Sequence, residues 1–480
     1  MSTPSSAAGL GRAGLIILLA GQLLPMIDFS IVNVGLDAMA QSLHASPTQL
    51  ELIVAVYGVA FAVCLAMGSR MGDNLGRRRL FLWGVRLFAV ASLMCGLANS
   101  VWLLLVARTL QGVGAAMIVP QIMATIHVCL RGREHARAMA LYGGIGGLAF
   151  IIGQVLGGLL ISLNIAGYGW RSVFLINIPL CALVLACAHR WVPDTRAERP
   201  VNIDWPGTLL LALTIICLLF PLALGPVWHW PWPCLALLAL SGPLLLQLWR
   251  VERRQERRNN FPLLPPALLR LASVRFGLTI AILFFSCWSG FMFVMALTLQ
   301  AGAQLNAFQS GNAFIALGAA YFISSLLSST VIEHIGKVRA LLLGCLIQIG
   351  GLLALMLTML LVWPQPGIIN LIPATLLIGA GQALIVSGFF RIGLADVPVE
   401  HAGSGSALLA TVQQTSLGLG PILLGTVLVQ MLHVSPGDYL HALLAALALE
   451  LLLMLALLLR TGLALRADRR LAAAGQPSRS

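Results

Sequence analysis

Of 480 residues, 59% are hydrophobic and only 9% are charged, where a soluble domain carries about 25% charged residues. With a mean hydropathy of +0.94, the chain is built to dissolve in lipid, and a large water-soluble domain is excluded. The net charge of +13 raises nucleic acid as a partner, but the placement of the bases gives a different reason for it.

Runs of about 20 apolar residues mark membrane-spanning helices. They are expected near 14–36, 50–70, 80–98, 101–126, 138–162, 171–190, 206–225, 231–249, 276–299, 309–332, 339–362, 368–392, 403–432 and 440–460. The first run ends near "AMAQS", which resembles a signal-peptide cleavage site. Its leading region holds only Arg12 and its apolar stretch is too long, so a retained first span is expected. Gly9, Gly11 and Gly14 spell a dinucleotide-binding pattern, but they open a span and follow no strand, so that reading fails on context.

Between spans the bases alternate. Arg70 and Arg77 to Arg79 follow span 2, Arg131, Arg133 and Arg137 follow span 4, and Arg190, Arg196 and Arg199 follow span 6. The largest group, Arg250 to Arg275, follows span 8, while the opposite loops are almost free of bases apart from Arg171. The positive-inside rule places this basic side and both termini in the cytoplasm. A basic face beside anionic lipid accounts for the charge, so the bilayer is the expected partner and nucleic acid is not. Lys337 is the only lysine, a bias expected of a GC-rich bacterial genome and hence of an inner, plasma membrane.

The region 191–275 differs from its flanks, with charged linkers around two Leu- and Trp-rich spans. An N-terminal six-helix bundle is expected over 14–190 and a C-terminal one over 276–460, with a cytoplasmic tail at 461–480. An internal repeat supports the two halves: "DNLGRRR" (Asp73 to Arg79) follows span 2, and "EHIGKVR" (Glu333 to Arg339) follows span 10. Each sets an acid, a Gly and bases at the same spacing. An acid among bases at a helix end can act as a latch, formed here from Asp73, Gly76, Arg77 and Arg78, with Glu333 and Lys337 as the second copy. The nine cysteines lie in or beside apolar segments without a C-x-x-C pair and are expected to be small buried hydrophobes, and the nine histidines are scattered. No metal site and no cofactor are expected.

"SRMGDNLGRRRLF" resembles the signature loop of the major facilitator superfamily, with Ser69 in place of the opening Gly. "LVARTLQGVGAA" is similar to the fourth-span motif of proton-coupled members through Arg108, Gln111 and Gly112. "DFSIVNVGL" resembles the first-span motif of the fourteen-span drug:proton antiporter family through Asp28 and Asn33. "WRSVFLINIP" and "DWPG" look like that family's sixth- and seventh-span entries. The resemblance implies an all-α polytopic protein with the major facilitator fold: two six-helix bundles with two extra helices between them. It also implies multidrug efflux, exchanging protons for amphipathic, often cationic compounds. The sequence departs from that pattern at Asp37 and at Gln154, each of which replaces a family Pro. In "GQVLGG", Gly153, Gly157 and Gly158 remain, and small residues four apart let helices pack closely.

Asp28 lies about 20 Å into span 1, where an ionisable group costs at least about 2.5 kcal/mol. With Arg108 it forms the expected proton-coupling pair; Asp28, Asn33, Gln111 and Gln154 are the expected cavity residues. Ionised Asp28 would attract a cationic substrate, and protonation from outside would release it. Other polar groups give weaker signals: Glu450 is expected to face lipid, Glu51 to be solvated at the outer surface, and Arg86 either to snorkel to the cytoplasm or to serve the latch. Asn177, Asn312, Gln382, Gln413 and Gln414 either line the cavity or join helices.

No ATP-binding P-loop occurs, so an ion gradient must supply the energy, and the resemblance implies protons. No motif of a membrane hydrolase or zinc protease occurs either, and no enzyme activity is expected. Transport of a specific metabolite, proton-coupled or facilitated, is the alternative within transport; a membrane sensor is the alternative outside it. The chain is expected to act as a monomer on a small-molecule substrate, with an adaptor as the partner for any outer-membrane export.

Overall fold

The computed structural model describes residues 9–196, 204–225, 230–258, 266–398 and 402–473, and among them there is no β-strand. The first helices are α1 (Arg12–Leu43), α2 (Pro47–Leu75), α3 (Arg77–Gly96), α4 (Val101–Cys129), α5 (Gly132–Leu163) and α6 (Gly169–Trp191). Two further helices follow, α7 (Trp205–Leu224) and α8 (Trp232–Arg257). The last group is α9 (Ala272–Gly302), α10 (Ala307–Ile335), α11 (Lys337–Val362), α12 (Ile368–Gly393), α13 (Ala402–Val434) and α14 (Tyr439–Ala473). Among the described residues, 13 helices are long and apolar enough to cross a membrane. The helix α5 is 32 residues long. The chain is a multi-pass membrane protein.

Local chemistry sets the helix ends. Ser46 and Gln49 form a reciprocal cap at the start of α2: Ser46 Oγ accepts from Gln49 N at 3.3 Å, and Gln49 Oε1 accepts from Ser46 N at 2.9 Å. Asp204 caps α7 by accepting from Gly207 N at 2.9 Å. The repeated loop motif gives the same turn twice. Gly76 and Gly336 each stand alone between two helices at φ +105° and +85°, a backbone that a residue with a Cβ rarely adopts.

Packing divides the helices into two groups. α1 packs on α4, α5 and α6; α2 and α3 pack on α4. In the second group α9 packs on α12, α13 and α14, and α11 packs on α12 and α14. α9 is central and almost wholly buried, whereas α8 is peripheral and mostly exposed. That contrast explains how α8 can expose Trp232, Leu235, Leu245 and Leu246: lipid tails are as apolar as leucine, so such a surface costs nothing in a bilayer. α7 joins the inserted pair to the rest, burying Leu211, Ile215 and Leu219 with Ala55 of α2 and Ile422 of α13.

The two groups meet along two seams. A methyl group built on Gly58 of α2 would lie 2.9 Å from Gly418 Cα of α13. One built on Gly158 of α5 would lie 2.5 Å from Ala307 O, and one on Gly311 of α10 would lie 2.5 Å from Gln154 O. Gly311 stands at the beginning of α10 and Gly158 toward the end of α5, whereas Gly58 and Gly418 stand near the middles of α2 and α13. Farther along the α2–α13 seam, Glu51 of α2 lies against Gly425 of α13. The α5–α10 contacts and the Glu51–Gly425 contact lie toward the arginine-poor ends of the helices. The protein therefore holds its two halves together on the arginine-poor side.

Candidate functional site

Arg108 and Gln111 are three residues apart on α4 and so share one face of that helix. That face meets the middle of α1, where Asp28 stands. Asp28 and Arg108 are both 0% exposed. Arg108 Nη1 donates to Asp28 Oδ2, forming an ion pair. Two amides complete the carboxylate's shell: Asn177 Nδ2 donates to Asp28 Oδ1 at 2.7 Å, and Gln111 Nε2 donates to the same oxygen at 3.0 Å. Both amides also reach Ser92 Oγ of α3, Gln111 at 2.8 Å and Asn177 at 3.3 Å. Four helices, α1, α3, α4 and α6, thus converge on one carboxylate.

The guanidinium is held on its other sides. Arg108 Nη1 donates to Gln111 Oε1 at 2.8 Å, and its Nε donates to Ile53 O of α2 at 3.1 Å. The Tyr57 ring stacks on it, 4.4 Å from Cζ to the ring centroid, a cation–π contact strengthened by exclusion of water. Tyr57 is itself fixed by donating its hydroxyl to Pro25 O at 3.0 Å. Gly112 makes the approach of α2 possible, since a methyl group there would lie 2.4 Å from Tyr57 O. Of the guanidinium nitrogens only Arg108 Nη2 lacks a hydrogen-bond partner. Every donor around Asp28 favours the carboxylate, and a paired charge is what a buried site can tolerate.

The other expected site residues fall elsewhere. Asn33 is buried but turns back on its own helix, donating to Ser30 O at 3.3 Å. Gln154 is 0% exposed and lies in the α5–α10 seam, with its amide nitrogen 3.8 Å from Met292 Sδ of α9. Neither touches Asp28, so of the expected cavity residues only Gln111 shares its shell. Gly153 and Gly157 bring α5 onto Ser30 and Ile31 of α1, and Gly158 faces Ala307. Asp37 accepts from Gln41 Nε2 at 2.8 Å.

The latch motif closes on its own half. Arg77 pairs with Asp73 at 2.6 Å. It also binds the segment after α6, donating its backbone N to Thr195 O at 2.8 Å. Arg78 donates to His189 O at 3.2 Å and Val192 O at 3.3 Å, and Arg79 lies 3.5 Å from Asp194. In the second copy, Glu333 is exposed, and among the described residues no ion pair joins it to Lys337.

Three readings of the sequence need correction. Glu450, expected to face lipid, is 0% exposed, because the polar side of α14 is turned inward against α9 and α11. Glu51, expected to be solvated, is 2% exposed, because its carboxyl packs against Gly425 of α13. Three of the nine cysteines, Cys64, Cys129 and Cys187, are only half-buried, and the other six are buried. Sequence reasoning gave no weight to Ser92 and Tyr57 and little to Asn177. Asn177 stands out only as the lone amide in "FLINIPL", and Ser92 and Tyr57 carry no local signal at all.

Comparison with known proteins accords with this architecture. The sequence pattern of the Major Facilitator Superfamily matches residues 18–421. A protein named as a probable actinorhodin transporter in Streptomyces coelicolor is 31% identical over 417 residues, covering 86% of this chain and 72% of that protein. The puromycin resistance protein pur8 of Streptomyces alboniger is 31% identical, over 86% of this chain and 81% of its own. The drug efflux pump JefA of Mycobacterium tuberculosis is 30% identical, over 85% and 78%. Among solved structures, a POT family transporter bound to 5-aminolevulinic acid aligns with a TM-score of 0.66 at 12% identity, covering 94% of this chain and 96% of that one. The human organic anion transporter MFSD10 aligns at 0.61 and 16% identity, covering 94% and 99%. Twelve and sixteen per cent identity speak for the fold alone. The sequence match across most of the chain goes further: this protein belongs to the Major Facilitator Superfamily, a family of transporters.

Proposed function

We propose that the protein exports amphipathic, cationic drugs or similar toxic compounds across the plasma membrane in exchange for protons, by alternating access. The arginine-rich side faces the cytoplasm by the positive-inside rule, so the seams close the outward side. The relatives' names, which speak of drug efflux and antibiotic resistance or transport, support export as the direction.

The wholly buried pair of Asp28 and Arg108 carries this reading. With Asp28 ionised, the cluster is neutral and a cationic substrate can rest in the space between the halves. When Asp28 takes a proton, Arg108 becomes an uncompensated positive charge. At about 10 Å and an effective dielectric of about 20, two such cations repel by roughly 1.7 kcal/mol. Proton and drug thus exclude each other through charge, without the drug touching the buried carboxyl. Binding of a proton from outside expels the drug, and loss of the proton to the cytoplasm restores the pair.

Dye efflux driven by a pH gradient in inverted vesicles tests this. Asp28→Asn cannot take up a proton and is expected to abolish gradient-driven export while the protein still reaches the membrane. Full transport by that variant would end the proposal.

A further inference from the structure

A second acid stands where the halves must part. Glu51 lies in the second turn of α2, within the seam, and is 2% exposed. Its Oε1 has no hydrogen-bond partner. The carboxyl packs over Gly425 of α13: a methyl group built there would lie 2.9 Å from Glu51 Oε1 and 2.9 Å from Phe293 Cε1 of α9. The partner across the seam is therefore a bare stretch of backbone, with the Phe293 ring packed on the same glycine.

Neither element supplies a counter-charge. The titratable side chains of α13 reduce to His433, which is exposed at its arginine-poor end. α9 carries Arg275 at its far end and Cys287. On the neighbouring helices of its own half, Arg108 is committed to Asp28, and Asp37 is bonded to Gln41. An ion removed from water without a partner costs several kcal/mol. The closed seam accommodates the neutral acid, which needs no cation, and penalises the carboxylate.

We infer that Glu51 is a second proton-binding carboxyl, separate from Asp28, that gates the arginine-poor side. While α2 and α13 are together the O–H bond is kept. When they part, water reaches the group, the O–H bond breaks, and the proton passes to a water molecule on that side, leaving a carboxylate. The seam closes again only after a proton from the same solution re-forms the O–H bond. Proton release and opening are thereby linked, with no net proton crossing through this residue. The inference rests on the alternating-access part of the proposed function but not on the role of Asp28.

The test is a distance measurement between spin labels on the arginine-poor ends of α2 and α13 in the full chain, reconstituted in lipid nanodiscs and titrated with pH. One linked proton lets the open-to-closed ratio rise by up to tenfold per pH unit. The wild type should open as pH rises. Glu51→Gln and Glu51→Met should both remain closed across the range, and His433→Gln should behave as the wild type. Asp28→Asn should keep the pH-dependent opening even where export is lost, which separates this inference from the reading of Asp28. A wild type that does not respond to pH, or Glu51 variants that respond as the wild type does, would overturn it. The two Glu51 variants differ in polarity, so a folding defect in one leaves the other to decide.

Discussion

The N-terminal half and the C-terminal half each bury an acid in the middle of a helix bundle, and they treat it in opposite ways. Asp28 has a guanidinium and two amides directed at it. Glu450 on α14 is equally buried, yet both its oxygens lack a hydrogen bond of normal geometry, as do both amide atoms of the facing Gln348. No arginine or lysine reaches Glu450 among the described contacts. Among the described residues, the repeated scaffold therefore holds a buried charge pair in its first half alone. A buried pair needs both members and resists the loss of either, whereas a buried acid with no cation is already adapted to the neutral form.

Breaking the pair should give the largest effect. Arg108→Gln leaves Asp28 without its cation and is expected to cost about 3–5 kcal/mol of stability. Asp28→Asn together with Arg108→Gln should recover most of that loss, because no buried charge remains. Thermal unfolding of the single and double variants in detergent gives the coupling energy. Additive losses would mean that the two residues act independently, and the contrast between the halves would fall.

The same operation on the other half should do little. Glu450→Gln removes no ion pair and keeps the shape, so stability should change by less than about 1 kcal/mol and export should persist. A collapse of gradient-driven efflux in this variant would make Glu450 the equal of Asp28. The smallest effect lies at the start of α14, where Asp438 accepts from His441 N at 3.2 Å and lies 2.7 Å from the ring Nδ1. The backbone N–H of His441, and then its ring, hold the Asp438 carboxyl below the usual carboxylate range. A lowered value means the contribution is present above about pH 3.9 and fades as pH falls through the folded-state value. The difference in melting temperature between wild type and Asp438→Asn should be small near neutrality and shrink in acid. A gap that widened in acid would reverse the assignment.

Much of the architecture is legible in the primary structure because a bilayer imposes a one-dimensional code. Apolar runs of spanning length match the helices within a few residues over most of the chain, although α14 continues to Ala473, well past residue 460. The turns at Gly76 and Gly336 follow from the repeated motif, since both need positive φ. Asp28 and Arg108 are each legible because a charge inside an apolar run is costly, but their direct contact is visible only in the structure. Asn33 and Gln154 carry the same kind of signal and yet do not join them. An amide is satisfied by its own helix or by a neighbour, so its presence in a span says little about where it points.

What the sequence determined by itself is the solvent of this protein, its helical content, the alternation of basic loops and the presence of a costly acid in α1. These depend on composition and on local spacing, which act along the chain. Only the tertiary structure decided that Ser92, Asn177 and Tyr57 surround the Asp28–Arg108 pair, that Glu450 is turned inward, and that Glu51 is sealed between α2 and α13. The orientation of a polar side chain about its helix depends on which helix lies opposite. That is settled by close contacts between residues hundreds of positions apart.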